Sequence, residues 1–330
     1  MTWSFRRPQL ACEQLESRTL LSGFSHRSRL DDSDKGESES DYHKTMLAGD
    51  TGGANPDQPS NRVDPNSTSS PFAGVGSLNI VTKRYSGICT ATPISSTHVL
   101  TAAHCLDSND DGRITKRDKL VAIYFNLNFG SDMSHQIQAV AWQLHPDFTG
   151  FGRPSVNDDL AVLTLSTSLP EGVPIYPIYT GPMDEVLHLV GYGRSGDGVS
   201  GYTIAASFTV KRYGENFPDK LQDQDDQYAA IVDEIFEYDF DGPTGNGPTG
   251  GPTLGNDRET TLGSGDSGGP AFVLVGADPT QASSYALAGV NTYTRDTWAV
   301  QSPRFGSFGG GVIVAPYLAW IQSVLNPPPS

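Results

Sequence analysis

Gly263-Ser264-Gly265-Asp266-Ser267-Gly268-Gly269-Pro270 sets Ser267 among four glycines. Glycine gives up more backbone entropy than any other residue on ordering, so this density needs a conformational reason. One such reason is a tight turn that lifts a hydroxyl out of the backbone and points neighbouring N–H groups at one spot. Donors arranged in that way stabilise the charge that develops on a carbonyl oxygen during acyl transfer. In this reading Ser267 is the nucleophile, and the N–H groups of Gly265 and Ser267 form the oxyanion hole. A Gly-rich hairpin turn is the competing reading, and residues upstream decide between them.

A serine hydroxyl attacks poorly until a base takes its proton, so a histidine and an orienting carboxylate are required. The seven histidines, His26, His43, His98, His104, His135, His145 and His188, all precede Ser267. That order excludes the α/β-hydrolase reading of Gly265-x-Ser267-x-Gly269, in which the histidine comes last. The order His, Asp, Ser stays open. His104 lies in Val99-Leu100-Thr101-Ala102-Ala103-His104-Cys105, where an apolar strand ends in small residues. A disulfide from Cys105 to Cys89, sixteen residues upstream, would pin this turn to the preceding strand. The carboxylate candidate stands in Asn157-Asp158-Asp159-Leu160-Ala161-Val162-Leu163-Thr164-Leu165. An acid just ahead of an apolar strand can be buried against an imidazole and hold its tautomer. Asp159 abuts the strand and is the first choice; Asp158 is the alternative.

TAAHC, DDLAVL and GDSGGP, in that order, resemble the trypsin (chymotrypsin-like) serine protease family over roughly residues 63–325. Val190-Gly191-Tyr192-Gly193 is similar to the stretch that opens the family's second barrel. Gly289-Val290-Asn291-Thr292-Tyr293 is similar to the strand lining its substrate cleft, and Ala315 to Leu325 to its closing helix. The resemblance implies a triad of His104, Asp159 and Ser267 acting on a polypeptide through an acyl-enzyme. It also implies a substrate pocket with Thr261 at its floor, Thr292 and Tyr293 along the cleft, and Thr294 and Gly311 as walls. A threonine floor offers no carboxylate to an Arg or Lys side chain, so small or uncharged residues are expected before the scissile bond. A catalytically silent module on the same fold, or an esterase without peptidase activity, is the alternative.

Composition bounds the rest. The 330 residues include 36 Gly and 23 Pro, which favour short strands and many turns. A net charge of −16 argues against nucleic acid and anionic membrane surfaces as partners. No apolar run approaches the ~18–20 residues of a membrane span. Three cysteines allow one bridge and leave Cys12 odd, which suits an oxidising compartment. Residues 1–23 lack the apolar core of an ordinary signal peptide, but Leu15 to Gly23 resembles an LExRxLLSG-type segment of exported bacterial proteins. Residues 24–62 are polar and acidic, so a disordered leader is expected there. Arg62-Val63 is a candidate cut site, whose new N-terminus the resemblance would pair with Asp266.

The remaining chain reads as β. Ser77–Val81, Leu120–Leu127, Gln136–Trp142 and Leu160–Leu165 alternate or carry β-branched residues, and Val186–Val190, Ile204–Val210, Tyr228–Phe236, Ala271–Val275 and Tyr285–Asn291 do likewise. The expected fold is all-β. Two antiparallel six-stranded barrels span about 63–175 and 176–325, with a C-terminal helix before a tail at 326–330. Two insertions stand apart. Gly242 to Thr253 is a Gly/Pro-rich loop with no legible role. Asp107 to Asp118 follows the spacing of an EF-hand calcium loop: Asp107, Asn109, Asp111, the Arg113 carbonyl and Asp118 as ligands, with glycine at position 6. Its last ligand is Asp where Glu is usual. Calcium, in a structural role, is the one cofactor expected.

Overall fold

The computed structural model describes residues 13–14, 46–52, 56–130, 133–151, 156–222, 233–245, 247–251, 253–295 and 303–327. Expectations for Cys12, the export segment, most of the acidic leader and residues 328–330 lie outside the described residues. Glu13–Gln14 (β1) and Met46–Ala48 (β2) precede the first half. That half contains Gly76–Thr82 (β3), Ser86–Pro93 (β4), His98–Thr101 (β5), Leu120–Leu127 (β6), His135–Leu144 (β7) and Ala161–Leu165 (β8). These six close into a barrel in the order β3-β4-β5-β8-β7-β6. Strand periodicity explains the closure. In β6 Ile123, Phe125 and Leu127 point inward, and in β7 Ile137 and Ala139 do so between exposed neighbours.

The second half contains Leu187–Gly191 (β9), Ser195–Asp197 (β10), Gly201–Ile204 (β11), Arg212–Asn216 (β12), Lys220–Gln222 (β13) and Ile235–Asp239 (β14). Pro270–Leu274 (β15), Tyr285–Arg295 (β16) and Phe308–Ile313 (β17) complete it. Its main sheet runs β12-β9-β15-β16-β17-β14-β13, with β1 paired to β16. The all-β class and closing helix agree with the sequence reading, but this sheet does not close into a second ladder among the described residues. The edge of β12 is taken by the segment Arg258–Thr260 instead: Glu215 N donates to Arg258 O (2.9 Å), and Thr260 N to Glu215 O (2.8 Å). Asn216 at the end of β12 then donates its amide to Asp239 O and Thr260 O, both at 2.8 Å. A side chain thus ties β12 to β14 where a ladder was expected, and the edge of β12 is covered.

Two further expectations are corrected. Residues 205–211 are not a strand; β11 ends at Ile204 and β12 starts at Arg212. Ser207 Oγ takes Thr209 N (3.3 Å), a local bond that competes with a ladder. The leader is also not wholly without structure. Met46, Leu47 and Ala48 are fully buried as β2, parallel to β10, because this short apolar triplet has a sheet edge to cover. Arg62 is buried with them, its Nε 2.7 Å from Asp57 and its guanidinium donating to the carbonyls of Arg258 (2.6 Å) and Glu259 (2.8 Å).

Phe72, Tyr176, Phe272 and Tyr285 join the halves, with ring centroids 4.5–6.1 Å apart. Leu318–Leu325 (α1) lays Ile321 and Val324, with Tyr317 just before it, into the same core. No described helix is long and apolar enough to cross a membrane.

Candidate active site

His104 sits in a single turn of 3₁₀ helix, Ala103–Cys105, directly after β5. The Cys89–Cys105 disulfide links that turn to β4. Asp159, fully buried just ahead of β8, meets it from the neighbouring strand of the barrel. One carboxylate oxygen accepts His104 N (2.8 Å) and the other lies 2.6 Å from His104 Nδ1. Both oxygens are therefore spent on one residue, which fixes the ring and leaves Nε2 as its other face. Asp158, the alternative acid, turns the other way, its Oδ1 3.0 Å from His145 Nδ1. Phe151 packs its ring edge-to-face on His104, centroids 4.9 Å apart. Nothing in the sequence singled Phe151 out.

The Gly263–Pro270 stretch lies across the interface between the halves. Thr90 N donates to Ser267 O (2.8 Å), and from the other side Asn291 O accepts Gly268 N while Asn291 N donates to Gly269 O, both at 2.8 Å. Gly268 has φ +80°, and a Cβ there would stand 2.0 Å from Thr101 Oγ1, so only glycine fits. Thr90 Oγ1 donates to Gly265 O (3.0 Å) and so holds that peptide's carbonyl away from the cleft. The N–H groups of Asp266, Gly268 and Gly269 all find backbone acceptors. Those of Gly265 and Ser267 donate to no described residue. Ser267 is fully buried, and its Oγ makes no hydrogen bond within the described residues.

Asp266 is enclosed on every side. Its carboxylate takes Gly193 N and Gly263 N, both at 2.7 Å. Gly191 approaches so closely that a Cβ would meet Asp266 Oδ1 at 2.0 Å. Burial pushes the carboxyl up to about 7, against the lowering effect of those two N–H groups and of the facing Arg212 guanidinium. Arg212 is fully buried, paired across the ladder with Gly191, and its two terminal nitrogens have no hydrogen-bond partner among the described residues. Val63 bridges to Arg212 within the same layer. The positive charge facing Asp266 thus comes from a side chain.

The expected pocket residues fall on β16, β17 and the turn before Ser267. Thr261 is fully buried and faces Tyr238. Thr292 donates Oγ1 back to Val290 O (3.1 Å). Thr294 lies opposite Gly309, and Gly311 opposite Asn291, so these two proposed walls are not cross-strand partners. Tyr293 donates to Glu237 Oε2 (3.1 Å), and Arg295 grips the same carboxylate with two bonds of 2.6 Å. Glu237 was not legible as a neighbour of the pocket strand.

Both insertions resolve into acid clusters. In the 107–118 loop, Asp107 Oδ2 accepts Gly112 N (2.6 Å) and Asp118 Oδ2 accepts Thr115 N (2.6 Å). Asp111 accepts from Asn109 (2.9 Å), and the Arg113 stretch lines the outer wall. Asp107 Oδ1 is buried with no hydrogen bond among the described residues; burial first, and the charges of Asp118 and Asp111, push this carboxyl up against the lowering effect of the Gly112 and Asp111 N–H groups. Asp110 Oδ1 takes Phe151 N (2.5 Å), which connects this loop to the ring packed on His104. In the second cluster the 242–253 insertion covers Asp239, Asp241 and Glu259 with donors. Thr249 N and Oγ1 bond Asp239 (2.7 and 2.5 Å), and Thr253 Oγ1 bonds Glu259 (2.8 Å). Burial pushes Glu259 up to about 7.

A solved collagenase structure (HL collagenase) is similar at 20% identity, with a TM-score of 0.49, over 77% of this chain and 94% of the other. The family model described as Trypsin matches residues 64–263, a span that takes in His104 and Asp159 and stops just short of Ser267. The chain belongs to the trypsin family.

Proposed function

We propose that this protein is a serine endopeptidase. The observation that carries the reading is the pair of uncommitted N–H groups on Gly265 and Ser267, set in the same interface as the buried His104–Asp159 pair. Ser267 Oγ attacks the peptide carbonyl while His104 Nε2 takes its proton. The developing oxyanion is held by the N–H groups of Gly265 and Ser267. Asp159 keeps the proton on Nδ1 and stabilises the imidazolium. The proton then passes to the leaving amine, and water hydrolyses the acyl-enzyme by the same route in reverse. Thr261, Thr292, Tyr293, Thr294 and Gly311 receive the residue before the scissile bond, with small or uncharged side chains preferred. The disulfide and the family support export to an oxidising compartment.

Calcium suits the 107–118 loop. Asp107 Oδ1 is a buried oxygen without a hydrogen bond, flanked by Asp118 and Asp111, which is where a hard cation lowers the energy most. Asn109 and the Arg113 carbonyl complete the ligand set, and the ion would steady the loop that holds Phe151.

The full burial of Ser267 favours a second reading, a silent module with a covered cleft. Reaction of the purified chain with a fluorophosphonate probe separates the two. Covalent labelling at Ser267, together with cleavage of an internal peptide bond in a casein substrate, is expected. A chain that is folded but neither labelled nor cleaving would overturn the endopeptidase reading.

A further inference from the structure

Outside the candidate active site, His145, Asp147 and Asp158 bring one imidazole and two carboxylates together, with ligand atoms all within 4.8 Å of one another. His145 Nδ1 lies 3.0 Å from Asp158 Oδ1. That approach does not make an N–H···O bond, and the buried Nδ1 has no hydrogen bond among the described residues. A close nitrogen–oxygen contact without a shared proton is the spacing of two ligands on one ion. Bonds of about 2.0–2.2 Å to zinc, spread between a right angle and a tetrahedral one, put their ligand atoms roughly 3.0–3.4 Å apart.

The two inner groups are held in place for this. The His145 ring is clamped edge-to-face by Tyr317 and Trp320, centroids 4.9 and 5.0 Å away. Asp158 has φ +62°, its N–H donates to Tyr317 Oη (3.1 Å), and its second oxygen accepts from Asn157 Nδ2 (3.1 Å). That leaves Oδ1 turned to the imidazole. Asp147 is half-buried, and His145 lines an open groove of about 460 Å³ with Asp111, Arg113, Trp142 and Phe148, so an ion has a way in to the imidazole.

We propose that His145, Asp147 and Asp158 form a binding site for a divalent transition-metal ion, zinc being the best match. Two carboxylates balance the ion's charge, and the imidazole selects against calcium and magnesium, which prefer all-oxygen shells. Three protein ligands leave one position for water or an outside ligand. The ion would lock Asp158, and through one peptide bond it would steady Asp159 against His104.

The test is calorimetric titration of the full chain with zinc chloride in excess calcium, alongside His145→Ala and Asp147→Asn. His104→Ala serves as a background that takes away the candidate active site's imidazole as an alternative ligand. In that background one saturable event in the micromolar range is expected, with a matching rise in melting temperature. Asp147→Asn, which keeps the side chain's size and removes its charge, should weaken it at least about tenfold, and His145→Ala should abolish it. Zinc binding that is absent, displaced by calcium, or equal in the Asp147→Asn variant overturns the proposal.

Discussion

Asp158 and Asp159 are consecutive residues, yet each faces its own histidine, and the two pairs are built on different terms. Asp159 spends both oxygens on His104 through aligned bonds of 2.6 and 2.8 Å and is fully buried. Asp158 approaches His145 at 3.0 Å without an aligned bond and lies close to the half-buried Asp147. Closed geometry of the first kind suits proton chemistry, in which the ring must not turn. The open geometry of the second kind suits an ion that comes and goes. One peptide bond, with a positive φ at Asp158, turns two consecutive acids to two different histidines.

The largest effects should separate the two pairs outright. Ser267→Ala and His104→Ala are expected to lower kcat by factors on the order of 10⁵–10⁶, and Asp159→Asn by about 10⁴. Asp158→Asn should cost less than about tenfold in kcat while removing zinc binding. Steady-state kinetics on a peptide substrate read all four, and a larger loss in Asp158→Asn than in Asp159→Asn would reverse the comparison.

Arg212 gives the next effect in size. Arg212→Met keeps the volume but removes the charge facing Asp266, so the buried carboxylate loses its one nearby cation. An expected fall in kcat of about 10²-fold, with KM changed far less, would mark Arg212 as a positioning residue for the oxyanion loop. Unchanged kinetics would show that the Gly193 and Gly263 N–H groups suffice.

Sequence legibility followed the same division. The strands of the first barrel and the His104 turn were readable because period-2 burial and a small-residue stop are local signals. Asp159 could be preferred over Asp158 only because it abuts β8; the facing His145 lies at the far end of β7 and gives no local sign. Arg212, Glu237 and Phe151 were missed for the same reason. Their roles come from cross-strand register and loop contact, which no spacing along the chain encodes. The edge of β12 shows the limit most plainly: its partner, Arg258–Thr260, lies more than forty residues away and reads as a turn.

A smaller effect concerns pH. Burial pushes Asp266 and Glu259 both up to about 7 in the folded state, above their ordinary values of 3.8 and 4.5. Between those limits the folded state holds protons that the unfolded state has lost. Stability should therefore fall as pH rises from about 4.5 to 7. Glu259→Gln should flatten that slope in chemical denaturation run across the window, and an unchanged slope would remove Glu259 from the account. The smallest expected change is thermal. EDTA should lower the melting temperature by a few degrees, calcium more than magnesium should restore it, and Asp111→Ala should abolish the difference.

The burial of Arg62 bears on how long such a molecule survives among copies of itself. A peptide bond is cut only after several residues on either side leave their partners and enter a cleft as an extended strand. Arg62 is bound to Asp57 and to two carbonyls of the 258–259 segment, and Val63 is paired with Arg212. The bond that most resembles a maturation site is thus sealed by the fold, and Asp266 already faces a cation. Incubated at high concentration, the chain should stay in one piece across residues 62–63, and its working lifetime should follow the rate of local unfolding there rather than the supply of protease.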